Sequence, residues 1–396
     1  MVRRVGGVLL LVAFGLVLAL LVVEVGLLAT GVAPVEQLRR RPPYMKVPDR
    51  ITGWSLLPGA EFAHRTAFVN FGTRVQINAV GFRERDYALE RTPGVARVLI
   101  LGDSVTAGFE VPLSDVWHER LEAALSDANG TGRTEIIAAG VPGWSTDQQL
   151  LYYAHEGYKY RPDLVLLQFY LNDIDDNGTD FDGLLKLEKP YFRLDGDQLV
   201  LHNFPYEGEG VWADSRTQSP VKKFLRRASR TYRLVRAVRL RQRRQDPFCY
   251  PAKGVPVDLF VFASEPTPEY VEAWKVTSAI IGRLQAEVAR RGAAFAVVYF
   301  PSRRQVLPEA WRETLACWPE AETVAWDLNK PNRVLEALLR RRGISYLDLT
   351  HMFREHVRRT GEQVYLDKDE HLTARGHELA AARIVQWFQQ ERFLRP

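Results

Sequence analysis

Ser104 closes the stretch Val98-Leu99-Ile100-Leu101-Gly102-Asp103-Ser104, four apolar residues broken by a tight turn. A serine hydroxyl is a weak nucleophile until a base removes its proton. His371, at the end of Asp367-Lys368-Asp369-Glu370-His371, is the candidate base. Asp369, two residues earlier, is spaced to reach the imidazole Nδ1, fix its tautomer and stabilise the imidazolium; Asp367 is the reserve acid. Attack on an acyl carbon builds an oxyanion that needs preorganised donors. The backbone N–H groups of Ser104 and Gly143 and the side-chain amide of Asn172 suit that task. Gly143, in Val141-Pro142-Gly143-Trp144, lets a backbone N–H approach a carbonyl with no Cβ in the way. The chemistry is acyl transfer through a hydroxyl.

Singly, each piece has an ordinary reading: Gly-Asp-Ser as a turn, Val-Pro-Gly as a turn, Asn172-Asp173 as a cap, His371 as a surface histidine. Of the eight histidines, however, only His371 follows an acid-rich loop directly before a terminal helix. Apolar strand patterns at 96–101, 135–139, 164–170, 293–300 and 344–349 alternate with helical patterns, among them 267–291 and 373–393, the last opened by Thr373 as N-cap. Continuous apolar strands alternating with helices predict a parallel sheet covered on both faces. Right-handed crossovers return the chain to the same side, so the turns holding Ser104, Gly143, Asn172 and the 367–371 run share one edge. That edge is where open α/β sheets bind ligands.

In this order, the residues resemble the SGNH (GDSL-like) hydrolases. Gly102-Asp103-Ser104 matches the block carrying the nucleophile, Gly143 the second block, Asn172 with Asp173 the third, and Asp369 with His371 the last, over residues 95 to 390. The resemblance implies a flavodoxin-like three-layer α/β/α sandwich and metal-independent ester hydrolysis or O-acyl transfer, with no cofactor. Two departures stand out. The usual aspartate-to-histidine spacing would put Lys368 in the acid's place, whereas Asp-x-His spacing selects Asp369. Gly140 competes with Gly143 for the oxyanion position; Gly143 is preferred because it follows Pro142 in the sharper turn.

The chain has 396 residues, 46% hydrophobic and 26% charged, which suits one large α/β domain with appendages and not a disordered or fibrous protein. Its net charge of +5 is mild. The two cysteines, Cys249 and Cys317, lack metal-ligand spacing and are too few for a disulfide scaffold. After Arg3 and Arg4, an apolar run from Val5 to Thr30 is interrupted only by Glu24 and matches a bilayer span. It reads as an uncleaved signal-anchor, with the catalytic domain on the non-cytoplasmic side; cleavage near Ala29-Thr30-Gly31 and secretion is the alternative. The expected layout is 1–31 anchor, 32–94 connector and small β entry, and 95–396 hydrolase domain with a large insertion at 175–266 after the third strand.

Within that insertion, Lys222 to Arg244 holds eleven Lys or Arg and no acid, with apolar residues at helical spacing. A basic amphipathic helix over 221–244 would cover the domain or lie on anionic lipid beside the anchor. Nucleic acid is not an expected partner of an exported domain. The expected function is a serine esterase or deacylase acting on acylated glycans or lipids. The alternatives are an O-acyltransferase using the same residues and a non-catalytic glycan- or lipid-binding module on the same scaffold.

Overall fold

The computed structural model describes residues 14–15, 18–19, 22–27, 46–64, 72–128, 134–178, 189–208, 229–232 and 254–394. Contacts divide the chain into two units, 1–43 with 213–250, and 44–212 with 251–396.

In the smaller unit, residues 22–27 are helical, and the carboxylate of Glu24 accepts hydrogen bonds from Ser229 Oγ and Thr231 N–H, both 2.9 Å, and from Arg230 N–H. Arg230 also donates to the Leu27 carbonyl at 3.0 Å. The single acid of the apolar run thus caps the helical turn at 230–232. Phe14, Leu18, Val22 and Val25 are exposed. Among the described residues no helix is long and apolar enough to cross a membrane. Most of the expected 1–31 anchor, the 221–244 basic helix apart from 229–232, and Cys249 lie outside the described residues.

The larger unit is built on a five-stranded, all-parallel sheet of β5 (Ala96–Gly102), β6 (Thr134–Gly140), β7 (Leu164–Phe169), β10 (Ala294–Tyr299) and β11 (Ser345–Asp348), ordered β6-β5-β7-β10-β11. Renumbered within the sheet, this is the 2-1-3-4-5 order of flavodoxin-like folds. The aliphatic runs form strands buried on both faces. Leu99, Leu101, Val165, Leu167 and Val297 face one core, and Val98, Ile100, Leu164, Leu166 and Val298 face the other.

Helices cover both faces and make three layers. The first core takes Leu150 and Leu151 from α3 (Thr146–His155), Val276 and Ile280 from α5 (Pro268–Ala289), and Leu335 from α6 (Lys330–Arg341). The second takes Trp117 and Leu121 from α2 (Trp117–Ala128), Phe353 from α7 (Thr350–Thr360), and Ile384 and Trp387 from α8 (Ala374–Glu391). Thr373 caps α8 by accepting the Gly376 N–H at 3.1 Å.

Among the described residues three antiparallel hairpins decorate this frame: β1 (Lys46–Asp49) with β2 (Gly53–Leu56), β3 (Glu61–His64) with β4 (Thr73–Gln76), and β8 (Tyr191–Asp195) with β9 (Gln198–His202), the last within the expected 175–266 insertion. The small β entry expected within 32–94 is thus two hairpins, 46–49 with 53–56 and 61–64 with 73–76. The first hairpin holds the turn after β6. Trp144 Nε1 donates to the Trp54 carbonyl at 2.9 Å, and Gln148 Nε2 donates to the Thr52 carbonyl at 2.6 Å.

Candidate active site

Strand β5 ends at Gly102, a position crowded enough to require glycine. A Cβ there would lie 2.2 Å from Thr106 Oγ1 and 2.5 Å from Gln168 Oε1. Asp103 caps the one-turn helix α1 (Ser104–Ala107), accepting the Val105 N–H at 2.8 Å. Burial pushes the Asp103 carboxyl up to about 6, against the bond from Val105 and the charge of His371. Gln168 on β7 ties the elbow to the sheet, its Oε1 accepting from Asp103 N at 3.1 Å and Thr106 Oγ1 at 3.0 Å. Past α1, the buried Arg83 guanidinium donates to the carbonyls of Ala107 (3.3 Å), Gly108 and Val111 (2.7 Å). Ser104 opens α1, where backbone N–H groups have no intrahelical acceptor.

His371 is delivered from a loop bound at both ends. Tyr365 and Leu372 form an isolated bridge, Leu366 N–H donates to the His371 carbonyl at 2.9 Å, and Lys368 takes a left-handed φ of 50°. The Glu370 carboxylate accepts from Tyr170 Oη at 2.9 Å and Arg303 N at 2.8 Å, joining the loop to the ends of β7 and β10. The imidazole then lies with Nε2 2.9 Å from Ser104 Oγ and Nδ1 2.6 Å from Asp369 Oδ1. The same Asp369 oxygen accepts the His371 backbone N–H at 3.1 Å. In the neutral ring, the form able to take the Ser104 proton, this network makes Nδ1 the donor and Nε2 the acceptor. Asp367 is exposed, outside these bonds.

A second carboxylate, absent from the sequence reading, stands at the same ring. Glu110 Oε1 lies 3.6 Å from His371 Nδ1 and 3.2 Å from His64 Nε2. Burial disfavours its charge, but His371 and His64 outweigh that and hold the Glu110 carboxyl below its ordinary range. Burial likewise works against the imidazolium of His371, yet Glu110, Asp369 and Asp103 raise it to about 10. No local pattern flags Glu110; it is one acid between Phe109 and Val111, six residues past the serine.

Gly143 and Asn172 lie on the same sheet edge, after β6 and β7. Gly143 has φ +79°, and a Cβ on it would meet Lys46 Nζ at 3.2 Å. Gly140 has a different reason to be glycine. Its Cβ would sit 2.6 Å from the Ala107 backbone nitrogen, so β6 and α1 touch there. Asn172, half-buried, opens helix α4 (Asn172–Asn177) and turns Nδ2 toward Asp176 Oδ2 at 3.4 Å. Asp173 is buried, accepts the Tyr170 N–H at 2.8 Å, and burial raises its pKa well above the ordinary carboxylate range.

Among the described residues, Glu84, His118 and Glu119 bring ligand-capable atoms within 4.8 Å of one another. Burial pushes Glu84 up to about 8, Glu119 to about 7 and His118 down to about 4, with Arg83 also opposing charge on His118. Glu84 and Glu119 hydrogen-bond each other. They form a proton-sharing pair beside a fixed guanidinium, a setting that disfavours a cation.

No curated protein matches this chain in sequence. Solved structures that resemble it include a lipase/acylhydrolase from Enterococcus faecalis (14% identity, TM-score 0.38, 75% of this chain and 96% of that one). Others are the acetyl xylan esterase AlAXEase (13%, 0.38, 74% and 98%) and a lipase from a goat rumen metagenome (11%, 0.37, 73% and 95%). Likenesses this distant say nothing of substrate. The profile of the GDSL-like Lipase/Acylhydrolase family, in contrast, matches residues 100–379, from the strand before the serine to the helix after the histidine. By that match the chain belongs to the GDSL-like lipase/acylhydrolase family, hydrolases acting on esters.

Proposed function

We propose that the protein removes O-acyl groups from glycans or lipids through Ser104, His371 and Asp369. Ser104 Oγ bonds to the acyl carbon as its proton passes to His371 Nε2. The oxyanion is received by the N–H groups of Ser104 and Gly143 and by the Asn172 amide, which swings from its long contact with Asp176. Collapse expels the alcohol, which leaves with the proton from Nε2. Water then repeats the sequence on the acyl-serine and releases the acid; a sugar hydroxyl in its place would give acyl transfer. The reading rests on one observation, an imidazole bonded to Ser104 on one side (2.9 Å) and to Asp369 on the other (2.6 Å).

The catalytic domain is proposed to act on the non-cytoplasmic side, held by the 1–31 segment, with 221–244 against anionic lipid. In support, the run from Val5 to Thr30 is apolar but for Glu24, and Phe14, Leu18, Val22 and Val25 are exposed. A fluorophosphonate probe labels the wild type and not Ser104→Ala. Acylated sugars assayed beside p-nitrophenyl esters of rising chain length then define the substrate. Unlabelled, folded wild type would instead favour the non-catalytic binding module.

A further inference from the structure

Glu110 occupies a position the triad chemistry does not require. It comes from the segment after α1, and three features fix it there. Arg83 clamps the carbonyls of Gly108 and Val111 on either side of it, Thr73 Oγ1 donates to its own carbonyl at 3.1 Å, and His64 on β3 holds its Oε1 at 3.2 Å. The same oxygen stands 3.6 Å from His371 Nδ1, on the side of the ring already bonded to Asp369. A buried carboxylate with two histidines at one oxygen is a costly arrangement unless both partners carry or share charge with it.

We propose that Glu110 is a positioning residue of the site, a second carboxylate that shares the Nδ1 side of His371 with Asp369 and holds the imidazolium formed when Ser104 gives up its proton. This inference rests on the Ser104–His371–Asp369 reading. Asp369 makes the short bond and orients the ring. Glu110 acts through space, as a charge that favours the protonated ring in a poorly hydrated pocket. The charged and titratable groups facing the pair are His64 from β3, Arg83 ahead of β5, Asp103 at the start of α1, Asp369 in the last loop and His377 on α8.

The test compares full-length wild type, Glu110→Gln, Glu110→Asp, Asp369→Asn and the double variant Glu110→Gln/Asp369→Asn. One readout is the pH profile of ester turnover. The other is NMR titration of the His371 ring in histidine-labelled protein, the resonance being assigned by its loss in His371→Gln. Loss of an opposite charge at this distance lowers the pH midpoint of His371 by about 1 to 3 units in Glu110→Gln. Glu110→Asp keeps most of the wild-type midpoint. In the double variant, turnover falls at least about tenfold below Asp369→Asn alone. A Glu110→Gln protein with wild-type thermal stability and an unmoved midpoint overturns the proposal. Should Glu110→Gln fail to fold, Glu110→Ala removes the same charge, and an unmoved His371 midpoint there, together with equal turnover in Asp369→Asn and Glu110→Ala/Asp369→Asn, does the same. Failure of the underlying reading looks different: Ser104→Ala keeps full ester turnover, while the NMR midpoint still reports on Glu110.

Discussion

Tyr170, at the end of β7, donates its hydroxyl to Glu370 2.9 Å away, a bond that spans 200 residues of sequence. The residue after Glu370 is His371, so this bond sets the height of the imidazole over Ser104. Tyr170→Phe removes the donor and leaves Glu370 with the Arg303 N–H and the Arg304 guanidinium, 3.8 Å away, so the loss falls at the low end for a bond to a charged group, about 1.5 kcal/mol. Turnover is expected to fall about tenfold, with little change in thermal midpoint. The rate of fluorophosphonate labelling measures this directly. An unchanged rate would mean the loop is held without Tyr170.

The two acids of the last loop should separate cleanly. Asp369→Ala is expected to lower ester turnover by about 10²–10⁴-fold, because the ring loses its short Nδ1 partner. Asp367→Ala, altering an exposed side chain, should stay within about twofold. Steady-state kinetics on one p-nitrophenyl ester decides; comparable losses at both positions would reassign the acid.

Gly140 and Gly143 are expected to fail in different ways. Gly140→Ala drives a methyl against the backbone of α1, so the expected result is a lower melting temperature, from overpacking of about 1–3 kcal/mol, with lost activity following from it. Gly143→Ala strains a left-handed residue by about 1–2 kcal/mol and disturbs the candidate oxyanion donor. Its kcat should drop well beyond what its melting temperature explains. Melting curves and kcat on the same preparations check the pair; similar ratios of activity to stability in both would remove Gly143 from the oxyanion role.

The Glu84–Glu119 pair gives stability a definite pH dependence. Both carboxyls are raised in the fold, to about 8 and about 7, so the folded state holds protons that the unfolded chain has released. Their contribution is complete below the ordinary carboxylate range and is lost as pH climbs through 7 and 8. His371, raised to about 10, adds loss of the same sign at still higher pH. Thermal unfolding should show a midpoint that falls from mildly acidic pH, just above the ordinary carboxylate range, into alkaline pH, and Glu84→Gln should flatten the part of that fall below about pH 8. A Glu84→Gln curve parallel to wild type would show that the pair carries no such linkage.

Much of this was legible in the chain itself. The five aliphatic runs became five parallel strands, since segments buried on both faces carry no alternation to misread, and Thr373 caps the final helix as its hydroxyl predicts. Ser104, Asp369 and His371 were legible because each follows an unmistakable strand or precedes a helix. What stayed hidden depends on loops meeting in space. Glu110 is one acid among apolar neighbours until β3 brings His64 to it. Gly140 reads like any strand-end glycine until α1 lies against it. The segment before β5 reads as a connector with a small β entry, because strands of four residues carry too little pattern to show how many there are or how they pair.

That segment matters for anyone trimming the protein. Trp54 and Thr52 hold the turn that carries Gly143, through main-chain carbonyls that Trp144 and Gln148 grip from the other side. A shortened enzyme therefore has to start ahead of Lys46. Cutting at the family boundary near residue 100 would discard the brace and leave the serine elbow beside an unsupported rim.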